Sequence, residues 1–285
     1  MLAGEEGMRL SLAGAQNKLP IYLEGGEIFL PKGGAPSSHI IKPPIRDLVG
    51  TVENEAFCMD LARQVGLPVP PVSILKGDDT LFMIERYDRR RGPEGRVRRL
   101  HQEDFCQALG FLPEQKYEAE GGPKLAGCFG LVRERSSAPA ADQKLLVHWL
   151  IFNLLIGNAD AHAKNLSMLF TDQGPRLAPF YDLLSTTVYP HLATRLAMKI
   201  GDENRPDWLQ LSHWQRFAEE VQIKPNWVMT ILRAMAKAVP AAAEQTAVNF
   251  QHKHGSLPII VEIVGLVRER SDRLLRLLEM ARKEG

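Results

Sequence analysis

Residues 157–165 read Gly157-Asn-Ala-Asp-Ala-His-Ala-Lys-Asn165, a polar segment between two apolar ones. The run 145–156 ahead of it is apolar except for His148 and Asn153 and predicts a buried helix that the Gly-Asn pair would end. The segment 166–178 predicts two strands joined by a tight turn, because Thr-Asp-Gln-Gly lies at its centre. We therefore expect a polar loop held between a buried helix and a hairpin.

This loop carries a carboxylate, Asp160, five positions before an amide, Asn165, and a second carboxylate, Asp182, follows the hairpin. Phosphoryl transfer needs such a set: one carboxylate orients the attacking hydroxyl, while the amide and the other carboxylate hold the Mg²⁺ that bridges the nucleotide phosphates. A polar surface turn is the simpler explanation of 160–165 taken alone. It does not explain the helix, the hairpin and Asp182 around that segment.

Composition sets wide bounds on the class of protein. The 285 residues are 45% hydrophobic, enough for one large domain or two lobes. Lys plus Arg number 35 and Asp plus Glu 34, so the net charge of +1 neither favours nor excludes a nucleic-acid partner.

The cysteines and the apolar runs concern the compartment. The 3 cysteines are scattered without CxxC spacing, so we expect buried thiols in a reducing compartment and no metal–thiolate site. No apolar run reaches the roughly 18–20 residues of a membrane span, and the first residues lack the order of a signal peptide. The prediction is a soluble, cytoplasmic protein.

The N-terminal part predicts strands and one helix. A hairpin is expected over 21–30, and the small residues at 13–15 ahead of it would let the backbone approach a phosphate, although a plain loop explains them as well. Lys42 ends a short strand, where a kinase lysine would pair the nucleotide phosphates. The helix predicted over 53–66 can carry its partner, with Glu55 preferred to Glu53.

Further strands are expected at 69–75 and 80–87, the second leading into a hinge whose backbone amides would read an adenine. The basic segment 88–99 predicts a solvated hairpin, with contact to a nucleic acid or an acidic substrate as the alternative. Segments of the second half are predicted as a short helix at 102–110, a polar loop at 115–123, a strand or short extended piece at 194–201, and helices at 208–221, 225–239 and 259–282. Strands early and helices late predict an α+β chain with a nucleotide cleft between two lobes.

Five ordered features resemble the HipA family, bacterial toxin serine/threonine kinases with a protein-kinase-like fold. They are Ser11-Leu-Ala-Gly-Ala-Gln-Asn-Lys18, His39-Ile-Ile-Lys-Pro43, Leu100-His-Gln-Glu-Asp-Phe-Cys-Gln-Ala-Leu-Gly110 with Gln115-Lys-Tyr-Glu118, Asn158-Ala-Asp-Ala-His-Ala-Lys-Asn165, and Tyr181-Asp-Leu-Leu-Ser185. With the segments between them they extend over residues 10 to about 201. The resemblance implies a bilobal fold with a smaller β-rich N-lobe at 1–87 and a larger, mostly helical C-lobe at 88–285.

The resemblance also implies residue roles. Asp160 would be the catalytic aspartate, Asn165 and Asp182 the magnesium ligands, and Ser11 an autophosphorylated serine whose phosphate switches the enzyme off. The residues implied in ATP binding are Ala13, Gly14, Ala15, Gln16, Lys18, Lys42, Glu85, Arg86, Tyr87, Asn165 and Asp182. Two roles remain open for the loop's other polar residues: Lys164 either is solvated or neutralises the transferred phosphate, and His162 either packs in the turn or positions Asp160.

Substrates and partners follow from the same resemblance. It implies phosphorylation of an aminoacyl-tRNA synthetase, such as glutamyl-tRNA synthetase, which halts translation and causes growth arrest or persistence. The implied partner is a small helix-turn-helix antitoxin, HipB, which represses the operon, so that DNA is met only through the antitoxin and no membrane is involved. Family members usually carry an extra N-terminal subdomain ahead of the phosphate loop, which here begins close to Met1. We expect an isolated kinase core, a split system completed by a separate small protein, or a truncated gene product.

Two alternatives remain. A lipid or small-molecule kinase can carry the same local loop, although the motifs at Ser11 and at 100–110 weigh against it. A non-catalytic kinase fold acting as an antitoxin or repressor partner is the other, and the presence of Lys42, Asp160, Asn165 and Asp182 weighs against it.

Overall fold

The computed structural model describes residues 17–32, 35–92 and 97–284, with side chains up to residue 280. Five predicted site positions lie outside the described residues: the autophosphorylation site Ser11, and Ala13, Gly14, Ala15 and Gln16 of the phosphate loop. Of that loop, Lys18 is described.

The first part of the chain forms a five-stranded antiparallel sheet with the spatial order β2-β1-β3-β5-β4. Its strands are β1 (Leu19–Glu24), β2 (Glu27–Phe29), β3 (His39–Lys42), β4 (Val72–Lys76) and β5 (Thr80–Glu85). On one face, Ile21, Ile41 and Met83 form a small core. Because Ile41 lies opposite Met83, the next residue, Lys42, points to the other face, where the helices lie.

Helix α1 (Thr51–Gln64) connects β3 to β4. It is buried on most of its surface, and the buried side chains include polar ones. It lies between the sheet and two long C-terminal helices, so Asn54 and Glu55 are enclosed together with apolar Phe57 and Leu61. Two polar side chains on a buried helix require partners, because an unpaired buried polar group is destabilising. Those partners are the Ser185 backbone for Asn54 and Lys42 for Glu55.

The second part of the chain is mostly helical. Its helices are α2 (Phe105–Ala108), α3 (Leu125–Arg135), α4 (Pro139–Ile156), α5 (Leu211–Glu220), α6 (Pro225–His254) and α7 (Pro258–Glu284). Helix α4 lies in the centre, with Trp149, Ile151, Phe152 and Leu155 all at most 1% exposed. A helix packed on all sides is apolar on all sides, which explains the largely apolar run in the sequence. Strands first and helices later confirm the α+β prediction.

Five further strands lie in the second part. A two-stranded ribbon, β6 (Arg89–Arg91) with β7 (Val97–Arg99), confirms the predicted basic hairpin. A three-stranded sheet has the order β10-β9-β8 and is made of β8 (Gln102–Asp104), β9 (Ser167–Thr171) and β10 (Gly174–Leu177). The helix predicted over 102–110 was therefore wrong in its first turn. Residues 102–104 pair with β9, and Asp104 then caps α2 by accepting from the Gln107 amide.

Two other predictions need correction. Within the described chain, 194–201 forms no strand, and Ile200 makes only an isolated bridge to Glu203. The helix expected to end at Val239 continues through Pro240 to His254. The continuation buries Ala243 and Phe250, whose ring packs edge-on against Phe57 at 5.8 Å. Burial of that face offsets the hydrogen bond lost at the proline.

The three cysteines, Cys58, Cys106 and Cys128, are free and buried, as predicted. Among the described helices, none is long and apolar enough to span a bilayer.

Gly157 ends α4 with φ +74°, and a Cβ there would lie 2.2 Å from Thr187 Oγ1 and 2.6 Å from Leu266 Cδ2. Gly157→Ala should therefore add overpacking to backbone strain and reduce the free energy of unfolding by about 2–5 kcal/mol. Gly66 is the matched control, since it follows a helix with φ +82° and open space around it. Gly66→Ala should lose only about 1–2 kcal/mol. Urea denaturation of both variants measures the difference, and equal losses would contradict the packing argument.

Candidate active site

A cavity of about 180 Å³ lies between the five-stranded sheet and the helical part. Strands β3 and β5 form one wall, and the segment around Asp182 forms the other. Six of the predicted nucleotide-binding residues line it: Lys18, Lys42, Glu85, Arg86, Tyr87 and Asp182. The loop residues Asp160, His162, Lys164 and Asn165 do not line this cavity, and they belong to the loop hydrogen-bonded to the Asp182 segment.

Lys42 lies between two carboxylates from opposite sides of the cleft. Its Nζ is 2.6 Å from Glu55 Oε1 and 2.5 Å from Asp182 Oδ1, and all three residues are buried. Glu55 rather than Glu53 is thus the partner, as predicted. The contacts join the sheet, helix α1 and the segment after β10 at one charged point.

Charges determine the ionisation of this cluster. Burial alone would raise the pKa of Asp182, but the cations of Lys42 and Lys18 hold that pKa far below its usual range. Burial lowers the pKa of Lys42, and the two carboxylates more than reverse this effect. The pKa of Glu55 is raised, chiefly by burial, although Lys42 acts in the opposite direction. Asp182 is therefore the firmly ionised carboxylate of the pair, which suits a ligand for a hard cation.

Asn54 fixes the segment that carries Asp182, a role that the sequence analysis missed. Its side chain donates to the Ser185 carbonyl and accepts from the Ser185 amide, both at 2.8 Å. This reciprocal pair imitates a backbone bridge between α1 and residue 185. It supports Asp182, whose φ of +52° is rare for a residue other than glycine. An asparagine directly before the lysine's partner, Glu55, was the available signal.

The loop 157–165 is held to the same segment by hydrogen bonds. The Gly157 carbonyl accepts from the amides of Thr186 and Thr187, at 2.9 and 3.0 Å. The Ala159 amide donates to Thr186 Oγ1 at 2.8 Å, and Asn158 Nδ2 reaches the Asp182 carbonyl at 3.4 Å. These hydrogen bonds join the loop and the Asp182 segment into one connected unit.

Asn165 is folded back onto its own loop. Its side-chain Oδ1 accepts from the backbone amide of His162 at 3.0 Å, and its own backbone amide donates to the His162 carbonyl at 2.9 Å. The bond from the His162 amide identifies which atom of the Asn165 side chain is the oxygen, because only the oxygen can accept. That oxygen has a second lone pair, which is available to a metal. Asn165 and Asp182 match what Mg²⁺ needs from a protein, because that ion takes its other ligands from phosphates and water. Among the described residues, no group of three or more His, Cys, Asp or Glu could hold a metal by itself.

Asp160 contacts a residue that the sequence analysis placed in a polar loop. The Tyr117 hydroxyl donates to Asp160 Oδ1 at 2.5 Å, and Tyr117 is only 4% exposed. Its neighbour Lys116 is also buried, and burial lowers the pKa of that lysine. A single aromatic among polar residues was the only local signal for this contact.

His162 packs inside the loop. Both ring nitrogens are buried without a hydrogen-bond partner among the described residues, and the ring meets Tyr117 edge-on at 5.3 Å. Burial, aided by the nearby Lys116 cation, lowers the pKa of His162 to about 3. Its imidazole is thus neutral at pH 7. The ring contacts Tyr117, and Tyr117 in turn bonds Asp160. Lys164 is half-buried, and its carbonyl accepts from the Tyr181 hydroxyl at 2.8 Å.

The hinge differs from the expectation in one respect. The amides of Glu85 and Arg86 already donate to the carbonyls of Pro71 and Ser38, so neither is available to an adenine. The Arg86 guanidinium is held by both oxygens of Asp88. Tyr87 is stacked on Tyr181 with ring centroids 5.8 Å apart. A base at this end of the cavity would therefore meet the tyrosine pair and not those two amides.

A buried neutral histidine makes stability depend on pH. The folded-state pKa of His162 lies at about 3, below the 6.5 of a free histidine. Between those values the unfolded chain binds the additional proton, so stability falls as pH decreases. In urea denaturation at pH 7, 6 and 5, the wild type should lose about 1 kcal/mol per pH unit below pH 6.5 relative to His162→Phe. Parallel pH curves would contradict a neutral His162.

The family of HipA-like C-terminal domains matches residues 10–243. The chain is 49% identical to the putative kinase Y4mE of Sinorhizobium fredii over 252 residues. The aligned region covers 87% of this chain and 60% of that protein. It is 36% identical over 247 residues to the serine/threonine-protein kinase toxin HipA of Shewanella oneidensis, covering 82% of the chain and 56% of the toxin. The chain thus spans about three fifths of the length of these relatives.

Solved structures give the same result. HipA in a Shewanella oneidensis complex of HipA, HipB and operator DNA superposes with a TM-score of 0.86 and 31% identity, over 96% of this chain and 67% of that one. The Helicobacter pylori proinflammatory kinase CtkA shares the fold, with a TM-score of 0.57 and 12% identity over 99% of this chain and 93% of that one. The α+β architecture is therefore the bilobal, kinase-like one, and the chain belongs to the family of HipA-like C-terminal domains.

Proposed function

We propose that this chain is an ATP- and Mg²⁺-dependent serine/threonine-protein kinase, the HipA-like toxin of a toxin–antitoxin system. The observation that carries this proposal is Lys42 held between Glu55 and Asp182 at the cleft. A kinase uses such a lysine to pair the nucleotide phosphates and such an aspartate to hold the metal. The loop with Asp160 and Asn165 is bonded to the same segment.

Each group has a proposed role. Lys42 pairs with the nucleotide phosphates, and Asp182 and Asn165 hold magnesium, which when bound neutralises the charge that develops on the phosphoryl group. Asp160 orients the attacking hydroxyl and accepts its proton as the new O–P bond forms and the bond to the leaving diphosphate breaks. Lys164 is the cation for the transferred phosphate.

The remaining nucleotide contacts follow from position. The phosphate loop is residues 12–18, of which Lys18 lies 3.8 Å from Asp182. The segment Glu85, Arg86 and Tyr87 is the hinge, and we place the lobe boundary after Tyr87, so that the N-lobe is 1–87 and the C-lobe 88–285. The segment's contact with the adenine then involves groups other than the amides of Glu85 and Arg86.

The partners are proposed from the relatives, and the substrate is proposed from the family resemblance of the sequence. The Shewanella oneidensis relative is named a serine/threonine-protein kinase toxin, and its solved complex contains HipB and operator DNA. For this chain we propose a HipB-like helix-turn-helix antitoxin, DNA contact through that antitoxin, and an aminoacyl-tRNA synthetase as substrate. Phosphorylation of a synthetase such as glutamyl-tRNA synthetase would stop translation and cause growth arrest or persistence. We place this activity in the cytoplasm.

Asp160→Asn tests the proposed base. The amide keeps the shape of the side chain but cannot take the proton, so ATP affinity should be unchanged while phosphoryl transfer falls by about two orders of magnitude or more. Calorimetric titration with Mg-ATP and ³²P transfer from labelled ATP to the chain itself and to casein measure the two quantities. Asp172→Asn is the control, because Asp172 is an exposed turn residue paired with Arg98 and should leave both unchanged. Full transfer by Asp160→Asn would place the base elsewhere.

Ser11→Ala tests the proposed off-switch. Incubation of the dephosphorylated wild type with Mg-ATP should add one phosphate at Ser11 and lower later transfer to casein, because Ser11 directly precedes the proposed phosphate loop in the sequence and its phosphate would repel the triphosphate. The alanine variant should gain no phosphate and stay active. Intact mass and peptide mapping follow the modification. A phosphate that maps to another residue would disprove the assignment of Ser11.

A further inference from the structure

Tyr117 lies outside the loop 157–165 but contacts the proposed base of that loop, Asp160. It comes from the segment between α2 and α3, and its hydroxyl donates to Asp160 Oδ1 at 2.5 Å. A hydrogen bond to an ionised carboxylate is among the stronger polar contacts of a protein interior. Tyr117 is 4% exposed and Asp160 7%, so water competes little for this bond.

The segment that carries Tyr117 is fixed in place. The Tyr117 carbonyl accepts from the amides of Glu120 and Gly122, and the Glu118 amide donates to the Ala197 carbonyl. The Glu118 carboxylate in turn accepts from the Lys199 amide at 2.8 Å. Gly122 closes the turn so tightly that a Cβ there would lie 2.4 Å from the Gln115 carbonyl oxygen. The hydroxyl is thus presented from a rigid turn and not from a lid.

The aromatic ring is held as firmly as the hydroxyl. His162, from the catalytic loop itself, packs edge-on against it, and the Lys116 ammonium lies 4.9 Å from the ring centroid. A tyrosine with its ring and its hydroxyl both fixed can orient the group to which it is bonded.

The bond leaves Asp160 able to act. An ionised carboxylate has about four acceptor positions on its two oxygens, and the bond from Tyr117 takes one position, on Oδ1. A tyrosine that blocked the substrate would need to leave the site on binding, whereas Tyr117 lies in a hydrogen-bonded turn. The geometry therefore favours support of the base over obstruction.

We propose that Tyr117 is a positioning residue for phosphoryl transfer, whose hydroxyl holds one oxygen of Asp160 so that the carboxylate meets the incoming hydroxyl in the correct orientation. This inference rests on the proposed kinase function. It adds to that function a residue from the C-lobe turn at 115–123.

Tyr117→Phe removes the hydroxyl and keeps the ring, so the fold should be retained. Transfer of ³²P from labelled ATP to the chain itself and to casein should show kcat reduced about tenfold to a hundredfold, with KM for ATP changed by less than about twofold. Tyr22→Phe is the control. That tyrosine lies on β1, outside the residues that line the cavity, and its ring faces the Arg91 guanidinium at 5.8 Å, so loss of its hydroxyl should leave kcat and KM unchanged.

A double-mutant cycle separates positioning from a structural role. If Tyr117 acts through Asp160, Tyr117→Phe should not slow transfer further in the Asp160→Asn background. Independent, multiplicative losses would overturn the proposal, as would an unchanged or increased kcat in Tyr117→Phe. Either result would leave the kinase function standing, since the wild type is then active. A folded wild type that binds Mg-ATP and labels neither acceptor would instead overturn the proposed function, and the inference with it.

Discussion

The pairing of one buried lysine with two carboxylates is the constraint on which the rest of the structure depends. Lys42 ends a strand, Glu55 lies on the helix behind the sheet, and Asp182 belongs to the helical half. A buried charge without a partner is strongly destabilising, so the two halves must meet where all three groups meet. The cluster carries one more carboxylate than lysine. Lys18, which lines the cavity, lies 3.8 Å from Asp182, so the two carboxylates face one buried and one partly exposed lysine.

Neutral groups give that cluster its geometry. Asn54 bonds residue 185 from both directions, and Gly157 ends the central helix in a backbone conformation that leaves its carbonyl facing two threonine amides. These contacts carry no net charge and are insensitive to salt, unlike surface ion pairs. They couple the helix bearing Glu55 and the loop bearing Asp160 to the segment of Asp182. A change at either position would thus alter the site without touching a charged group.

Local sequence was sufficient for much of this architecture. The buried helix, the polar loop and the following hairpin could be predicted because each depends on residues within a few positions of one another, and the preference for Glu55 over Glu53 held. The prediction was wrong where a distant partner decides the structure. Residues 102–104 form a strand because β9 lies beside them, and α6 passes Pro240 because Phe250 packs on Phe57. Asn54 and Tyr117 were missed for the same reason, since their partners lie 131 and 43 positions away.

The central claim is that the cleft beside Lys42 and Asp182 binds a nucleotide together with magnesium. Calorimetric titration of ATP, with magnesium and with magnesium chelated, into the wild type and Asp182→Asn tests it most directly. The account predicts that magnesium tightens ATP binding at least about tenfold in the wild type and has little effect in Asp182→Asn, because the variant lacks the ionised ligand. ATP binding that is absent, or equally strong with and without magnesium in both proteins, would contradict it.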